Sequence, residues 1–377
     1  MLGKIMTAFR DPRSLSERAV NASLWNVIGL AVQYPLRLAS NLVLTRLLAP
    51  EAFGLMAVIF TLHTGLMLLS DVGIQQSVMR EKEGGTPHYL RVAWTAQLAR
   101  GGGLALLLIG VGFAVYVLGP EIAAPGTVYA DPALPWLILA SSLMLLIRGA
   151  SSTKLLLARR EMRLKRVVLV DLVGQVVGII AMIGFSLWLG SVWALLWGTV
   201  IGGFAHLFAS YALLPGPRMG IVWDRARASA MWKFGRWIIP ASLGGFLLRH
   251  GDRLLFSAFL DARLFGVYAI AIIWMEIGLT LLLRVGGSVF MPVFSQLIRE
   301  NRTEALRTHF HRIFLIYSAA AAAILGGYIL LIDHVIAFLY EPAYHMAGLF
   351  AALAAARLMF LNAQVSNDYI VATGASA

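Results

Sequence analysis

Cysteine is absent from this 377-residue chain, which excludes disulfides and thiolate metal sites and leaves the redox compartment open. Charge is scarce too. Asp, Glu, Lys and Arg together make 13% of residues, about half the share usual in soluble domains, while hydrophobic residues make 59%. Acids are the scarcer sign, with 19 against 31 basic residues and a formal net charge of +12. Catalytic constellations are missing: there is no nucleophile elbow, no phosphate-binding loop and no His/Cys metal spacing, and only His309 and His311 lie close together. No segment outside the apolar runs is long enough to form a catalytic domain. These absences point away from an enzyme, a metal or cofactor site, and ATP binding by this chain.

What is present is a series of apolar runs long enough to cross a ~30 Å hydrocarbon core, which takes about 20 helical residues. The composition and runs predict an all-α polytopic membrane protein. The first run begins after Arg18, lacks a small-residue cleavage site and is too long for the core of a signal peptide. Ten spans are predicted, at about 20–44, 53–74, 92–118, 134–157, 168–188, 192–214, 234–258, 265–290, 313–332 and 346–371.

Loop charge alternates along these spans. Lys4, Arg10, Arg13 and Arg18 precede the first; Arg80, Lys82 and Arg91 follow the second; Arg159, Arg160, Arg163, Lys165 and Arg166 follow the fourth. Arg218, Arg225 and Arg227 lie in the linker 215–232, and Arg299, Arg302, Arg307 and Arg312 follow the eighth span. The opposite loops, among them Gly119–Pro132, Leu189–Ser191 and Asp333–His345, carry no Lys or Arg, or a single one in each hinge, Arg46 and Arg263. The positive-inside rule therefore puts the N-terminus and the linker in the cytoplasm. Basic residues confined to short loops set orientation and do not call for a nucleic-acid partner.

One stretch occurs twice. Leu44-Thr-Arg-Leu-Leu-Ala-Pro-Glu-Ala-Phe-Gly-Leu-Met-Ala57 returns as Phe256-Ser-Ala-Phe-Leu-Asp-Ala-Arg-Leu-Phe-Gly-Val-Tyr-Ala269. Placing Gly54 on Gly266 sets a shift of 212 residues, which also aligns Trp25 with Trp237, Arg37 with Arg249 and Phe53 with Phe265. Two homologous lobes related as parallel repeats around a central cavity are expected, a recurrent transporter plan. The expected organisation is a basic segment over 1–19, an N-lobe of six spans over 20–214, the linker over 215–232, and a C-lobe over 233–377. Four spans of that second lobe are present. Counterparts of the fifth and sixth would fall beyond residue 377, so the chain reads as cut short within a plan of twelve or more spans.

Charges inside spans are costly, about 2.5–3.5 kcal/mol each on insertion scales, and favour a bundle interior or wet cavity. The first span shows Asn26, Gln33, Arg37 and Asn41 on one helical face. The third has Gln97 and Arg100; the fourth, Arg148 with Ser141 and Ser152; the seventh, Arg249, Asp252 and Arg253; the eighth, Glu276 and Arg284; the tenth, Arg357, Gln364 and Asp368. Seven span arginines outnumber the five acids Asp71, Asp171, Asp252, Glu276 and Asp368. Spare positive charge suits an anion, and guanidinium offers phosphate two parallel donors. Arg37, Arg249, Arg284, Arg148 and Arg253 are the candidate substrate-binding residues. Asn26, Gln33, Asn41, Gln97, Arg100 and Gln364 are candidate polar lining, and Glu276 and Asp252 candidate coupling groups. Pro35 and Pro240, inside the first and seventh spans, are candidate hinges. The competing reading makes each arginine a clasp for one of the acids; Asp252, three residues from Arg249, is placed to be one. Gly174/Gly178 and Gly198/Gly202 have the spacing of close helix packing, and Gly101–Gly103 fits either packing or flexibility.

The hinge with Ser70-Asp-Val-Gly-Ile74, Ala93-Trp-Thr95, Gln97 and Arg100-Gly101 resembles bacterial polysaccharide biosynthesis membrane proteins. In the second half, Phe234-Gly-Arg-Trp237, Gly251-Asp-Arg253, Leu264-Phe-Gly-Val-Tyr268 and Leu339-Tyr-Glu-Pro-Ala-Tyr344 agree. The likeness is to lipopolysaccharide and exopolysaccharide exporters of the oligosaccharide flippase family, within the multidrug/oligosaccharidyl-lipid/polysaccharide superfamily. It implies two six-helix lobes facing a cavity and movement of undecaprenyl-diphosphate-linked oligosaccharide across the bacterial inner membrane. It also implies work beside a polysaccharide polymerase or export machinery. A multidrug or cation antiporter of the same superfamily, and a flippase for lipid-linked peptidoglycan precursor, are the alternatives. A cation carrier would prefer an anionic interior.

Overall fold

The computed structural model describes residues 15–70, 73–225, 227, 238–276 and 303–356. Among these the chain is helical: α1 (Leu15–Leu47), α2 (Pro50–Leu69), α3 (Ile74–Arg80), α4 (Pro87–Ile122), α5 (Leu134–Ala150), α6 (Lys154–Arg160), α7 (Leu164–Leu189), α8 (Val192–Ala212), α9 (Ile238–Phe259), α10 (262–276), α11 (Thr303–Leu339) and α12 (Met346–Ala356). Short 3-10 turns lie at Lys82–Gly85, Val128–Ala130 and Pro342–Tyr344.

Six described helices are long and apolar enough to cross a membrane: Val20–Leu47, Pro50–Leu69, Pro87–Gly119, Leu164–Leu189, Val192–Ala212 and Ala322–Leu339. The pair α5 and α6, bent by 54°, is a seventh candidate. Helices of this length and composition overlap each of the stretches expected as spans over 20–214, with one correction. The span expected unbroken over 134–157 breaks at Ser151–Thr153. The break is held by hydroxyls: Ser210 Oγ accepts from the Ser152 amide at 3.2 Å, and Thr153 Oγ1 donates to the Leu90 carbonyl at 3.0 Å. Such side chains offer the backbone partners outside the helix, so a Ser-Ser-Thr run can end one. α9 carries Arg249, Asp252 and Arg253 and is not among the candidates by composition. The spans expected at 53–74, 234–258, 265–290 and 346–371 lie partly outside the described residues.

Glycine sets the closest helix approaches. A Cβ on Gly202 would stand 2.8 Å from the Gly174 carbonyl oxygen and 2.9 Å from Gly178 Cα, so α7 and α8 pack backbone to backbone. A Cβ on Gly101 would stand 2.8 Å from Gly149 Cα, joining α4 to α5, whereas Gly102 and Gly103 face open space. Packing is therefore the role of Gly101 in its triplet.

The chain forms two compact units, Met1–Phe265 and Gly266–Ala377. In the first, α1 lies against α7, and α9 lies against α2 with Phe246 filling the space beside Gly65. In the second, α11 and α12 pack together, Trp274 Nε1 donates to the Tyr340 hydroxyl at 2.9 Å, and Tyr268 meets Phe350 edge-on.

The repeat appears in local geometry. α1 ends at Leu47 and α9 at Phe259; α2 begins at Pro50 and α10 at 262; α5 begins at Leu134 and α12 at Met346. Each pair is separated by the same 212 residues. Even the closing bonds match: Leu48 N donates to the Leu44 carbonyl and Leu260 N to the Phe256 carbonyl, both at 2.9 Å.

Candidate functional site

The polar face of α1 meets different surroundings along its length. Asn26 and Arg37 are exposed, Gln33 is half-buried and Asn41 is buried. Pro35 lies within the helix, where its ring removes one backbone donor. Two residues before it, the Gln33 carbonyl accepts from Gln175 Nε2 at 2.8 Å, which ties α7 to this part of α1. Lys165 stands over the Trp25 ring, adding a second tie between the same helices.

Three of the five candidate arginines are exposed and have no hydrogen-bond or ion-pair partner among the described residues: Arg37 on α1, Arg148 at the end of α5 and Arg249 on α9. Arg249 forms no pair with Asp252, so the clasp that their spacing allows is not made. Arg253 and Asp252 are half-buried and engaged elsewhere. Glu276, the last described residue of α10, is half-buried and also engaged. Pro240 is exposed near the start of described α9. Arg284, Arg357, Gln364 and Asp368 lie outside the described residues.

Gln97 and Arg100 are used on backbone. Gln97 Nε2 lies within hydrogen-bond reach of the carbonyls of Arg148, Gly149 and Ser151 at 3.0–3.2 Å. Arg100 donates to Ser70 Oγ at 3.0 Å and to the Met67 carbonyl. Both side chains satisfy carbonyls that a helix end leaves without an intrahelical donor.

A polar group inside the first unit has no counterpart in the expected site. His63, buried on α2, bonds Ser141 of α5 at 3.1 Å. Asp171 of α7 pairs with His206 of α8 at 3.2 Å. Arg148 lies within electrostatic reach of His63, Asp171 and Arg159. Asp171 thus has a histidine as its direct partner, and among the described residues no arginine forms an ion pair with it. The available signal was a histidine inside each of two apolar helices, and an isolated histidine carries no spacing from which to read a role.

The family model described as "Polysaccharide biosynthesis protein" matches residues 43–347. The chain belongs to this family. Within curated relatives, it is 23% identical over 292 residues to the succinoglycan biosynthesis transport protein ExoT of Rhizobium meliloti, covering 75% of this chain and 55% of that one. It is 23% identical over 305 residues to the lipopolysaccharide biosynthesis protein WzxC of Escherichia coli, covering 80% and 58%. The matches therefore span little more than half the length of those relatives.

Among solved structures, an inward-facing multidrug resistance MATE family transporter of the MOP superfamily aligns with a TM-score of 0.64 at 14% identity, over 94% of this chain and 84% of that one. A MATE protein in complex with MaL6 aligns with a TM-score of 0.56 at 16% identity, over 94% and 85%. At such identities the likeness is one of fold. This family member is an all-α, multi-pass membrane protein, as its composition and apolar runs predict, and its fold is that of these transporters.

Proposed function

We propose that this protein is a flippase that moves undecaprenyl-diphosphate-linked oligosaccharide, a lipopolysaccharide or exopolysaccharide repeat unit, across the bacterial inner membrane by alternating access. The observation that carries the reading is that the side chains of Arg37, Arg148 and Arg249 are exposed and make no hydrogen bond or ion pair among the described residues, Arg148 meeting Asp171 only through its longer-range field. A charge left in a low-dielectric region without a partner is costly, and an anionic ligand offsets that cost. A diphosphate matches guanidinium by charge and by paired donor geometry. Arg253 and Arg284 belong to the same cationic set, and Asn26, Gln33, Asn41 and Gln364 to its polar lining. Glu276 exchanges a proton as the anion enters and leaves, and Pro35 and Pro240 are the points of flexure in the two lobes. The N-terminus and the 215–232 linker face the cytoplasm, and the released product passes to a polysaccharide polymerase or export machinery.

A flippase for lipid-linked peptidoglycan precursor would use the same diphosphate chemistry. Deleting the gene separates the two by which lipid-linked intermediate accumulates. A lipid-linked polysaccharide repeat unit supports the proposal, and accumulation of peptidoglycan precursor replaces it. Reporter fusions after Arg166 and after Ala343 test the orientation. The first should report cytoplasm and the second periplasm, and any other pattern overturns the assigned topology.

A further inference from the structure

The chain leaves α8 at Ala212 and crosses residues 213–224 without helix. This stretch is fastened to the first unit. The Arg218 carbonyl accepts from Arg91 Nε at 3.1 Å, and the Val222 amide donates to Thr95 Oγ1 at 3.0 Å. Asp224 faces His88 at 3.5 Å and Arg227 at 3.1 Å, and Arg227 reaches Glu83 at 2.7 Å.

These anchors fix its depth. Thr95 lies on the span Pro87–Gly119, eight residues from its start. At 1.5 Å per residue that is about 12 Å along the helix. The span has 33 residues, about 50 Å of helix, and so exceeds a ~30 Å hydrocarbon core by about 10 Å at each end. A segment bonded about 12 Å from its start is therefore near the headgroup boundary.

Its side chains alternate as an extended chain requires. Val222 and Asp224 are partly covered on the protein side, while Ile221, Trp223 and Arg225 are exposed; Ile221 is 75% and Trp223 67% exposed. Arg218 is exposed as well, and neither its side chain nor that of Arg225 has a partner among the described residues. An isoleucine and a tryptophan held outward at the end of a span, flanked by free guanidinium groups, match a surface that is apolar beneath and anionic above. Tryptophan favours that zone because its ring is apolar and its N–H polar.

We propose that residues 215–225 form a lipid-docking edge. Ile221 and Trp223 enter the headgroup boundary, and Arg218 and Arg225 hold the phosphates of anionic phospholipid. The edge pins the linker to the bilayer surface, independently of what the protein transports.

The absence of cysteine supplies the test. Ile221→Cys, in the otherwise native chain, is labelled with an environment-sensitive fluorophore and reconstituted in phosphatidylcholine vesicles with or without phosphatidylglycerol. Docking predicts a blue-shifted emission, stronger quenching by lipids labelled near the headgroup than at the chain end, and enrichment of labelled phosphatidylglycerol over phosphatidylcholine. Arg218→Gln with Arg225→Gln should reduce that enrichment, by about fivefold for each arginine. Trp223→Ala should weaken the shift while the protein elutes as before, since this ring is exposed. Emission typical of water in every vesicle overturns the proposal. So does a shifted emission that lipid-borne quenchers cannot reach, because a protein surface then covers the edge. Quenching equal in the two vesicle types overturns the choice of anionic lipid. None of these readings depends on transport, so they stand or fall apart from the flippase.

Discussion

The two hinges, residues 44–57 and 256–269, are built on one backbone plan and closed by different chemistry. In each, the last turn bonds back to a carbonyl four residues earlier, and a buried hydroxyl reaches a carbonyl three residues earlier. Thr45 Oγ1 donates to Leu42 at 3.1 Å and Ser257 Oγ to Leu254 at 2.9 Å. The restart differs. The first hinge begins its next helix with Pro50, whose fixed φ suits the first helical turn, after an Ala49 with no capping side chain. The second has no proline and caps its helix with Asp261, whose Oδ1 accepts from the Leu264 amide at 2.7 Å.

The second hinge is also braced. The loop between α4 and α5 lies across it: the Ala262 amide donates to the Gly126 carbonyl at 2.9 Å, Thr127 pairs with Asp261 in an antiparallel bridge, and Ser257 Oγ bonds the Tyr129 hydroxyl at 3.1 Å. Gly126 has φ +83°, a conformation that side chains disfavour. A duplicated corner thus keeps its geometry while its initiator changes, and one copy gains a partner from elsewhere in the chain.

The largest effect expected from this difference comes from locking the brace. An antiparallel bridge brings Cα atoms within about 5.5 Å, the spacing of a disulfide. Thr127→Cys with Asp261→Cys should cross-link and stop polymer export, and reductant should restore it. Export that continues through the oxidised pair makes the brace a static strut. Next is Ser257→Ala, which removes the bonds to Leu254 and Tyr129 and should lower apparent stability in nanodiscs by about 1–2 kcal/mol, whereas Thr45→Val should cost less. Equal losses would show that the Tyr129 contact contributes nothing. Asp261→Ala should cost about 1 kcal/mol through the lost cap. Pro50→Ala should cost least, about 0.5 kcal/mol, since it only frees the unfolded chain. Thermal unfolding of the four variants under one condition gives the order.

The paired hinge was legible because a corner fixes residues at set positions, so an identical register survives in Gly54 and Gly266. The close helix contacts were legible for the same reason at Gly174, Gly178, Gly198 and Gly202. The break at Ser151–Thr153 was not, because hydroxyls on an apolar run look alike whether they continue a polar stripe or end a helix. For Gln97 and Arg100 the sequence leaves two destinations open, a wet cavity or a neighbouring helix's carbonyls, and both side chains bond carbonyls of a neighbouring helix. Only the fold decides between them. His63 and His206 needed partners on distant helices to become visible, Ser141 and Asp171.

Arg37 and Arg249 occupy equivalent repeat positions, so changing both tests the central claim most directly. In cells lacking the native gene, the double variant Arg37→Ala, Arg249→Ala should reach the membrane at normal level, abolish polymer export and cause the lipid-linked intermediate to accumulate. The corresponding lysine pair, which keeps charge without paired donors, should restore export only in part. Normal export from the alanine pair would contradict phosphate recognition and leave these arginines as structural residues of the fold.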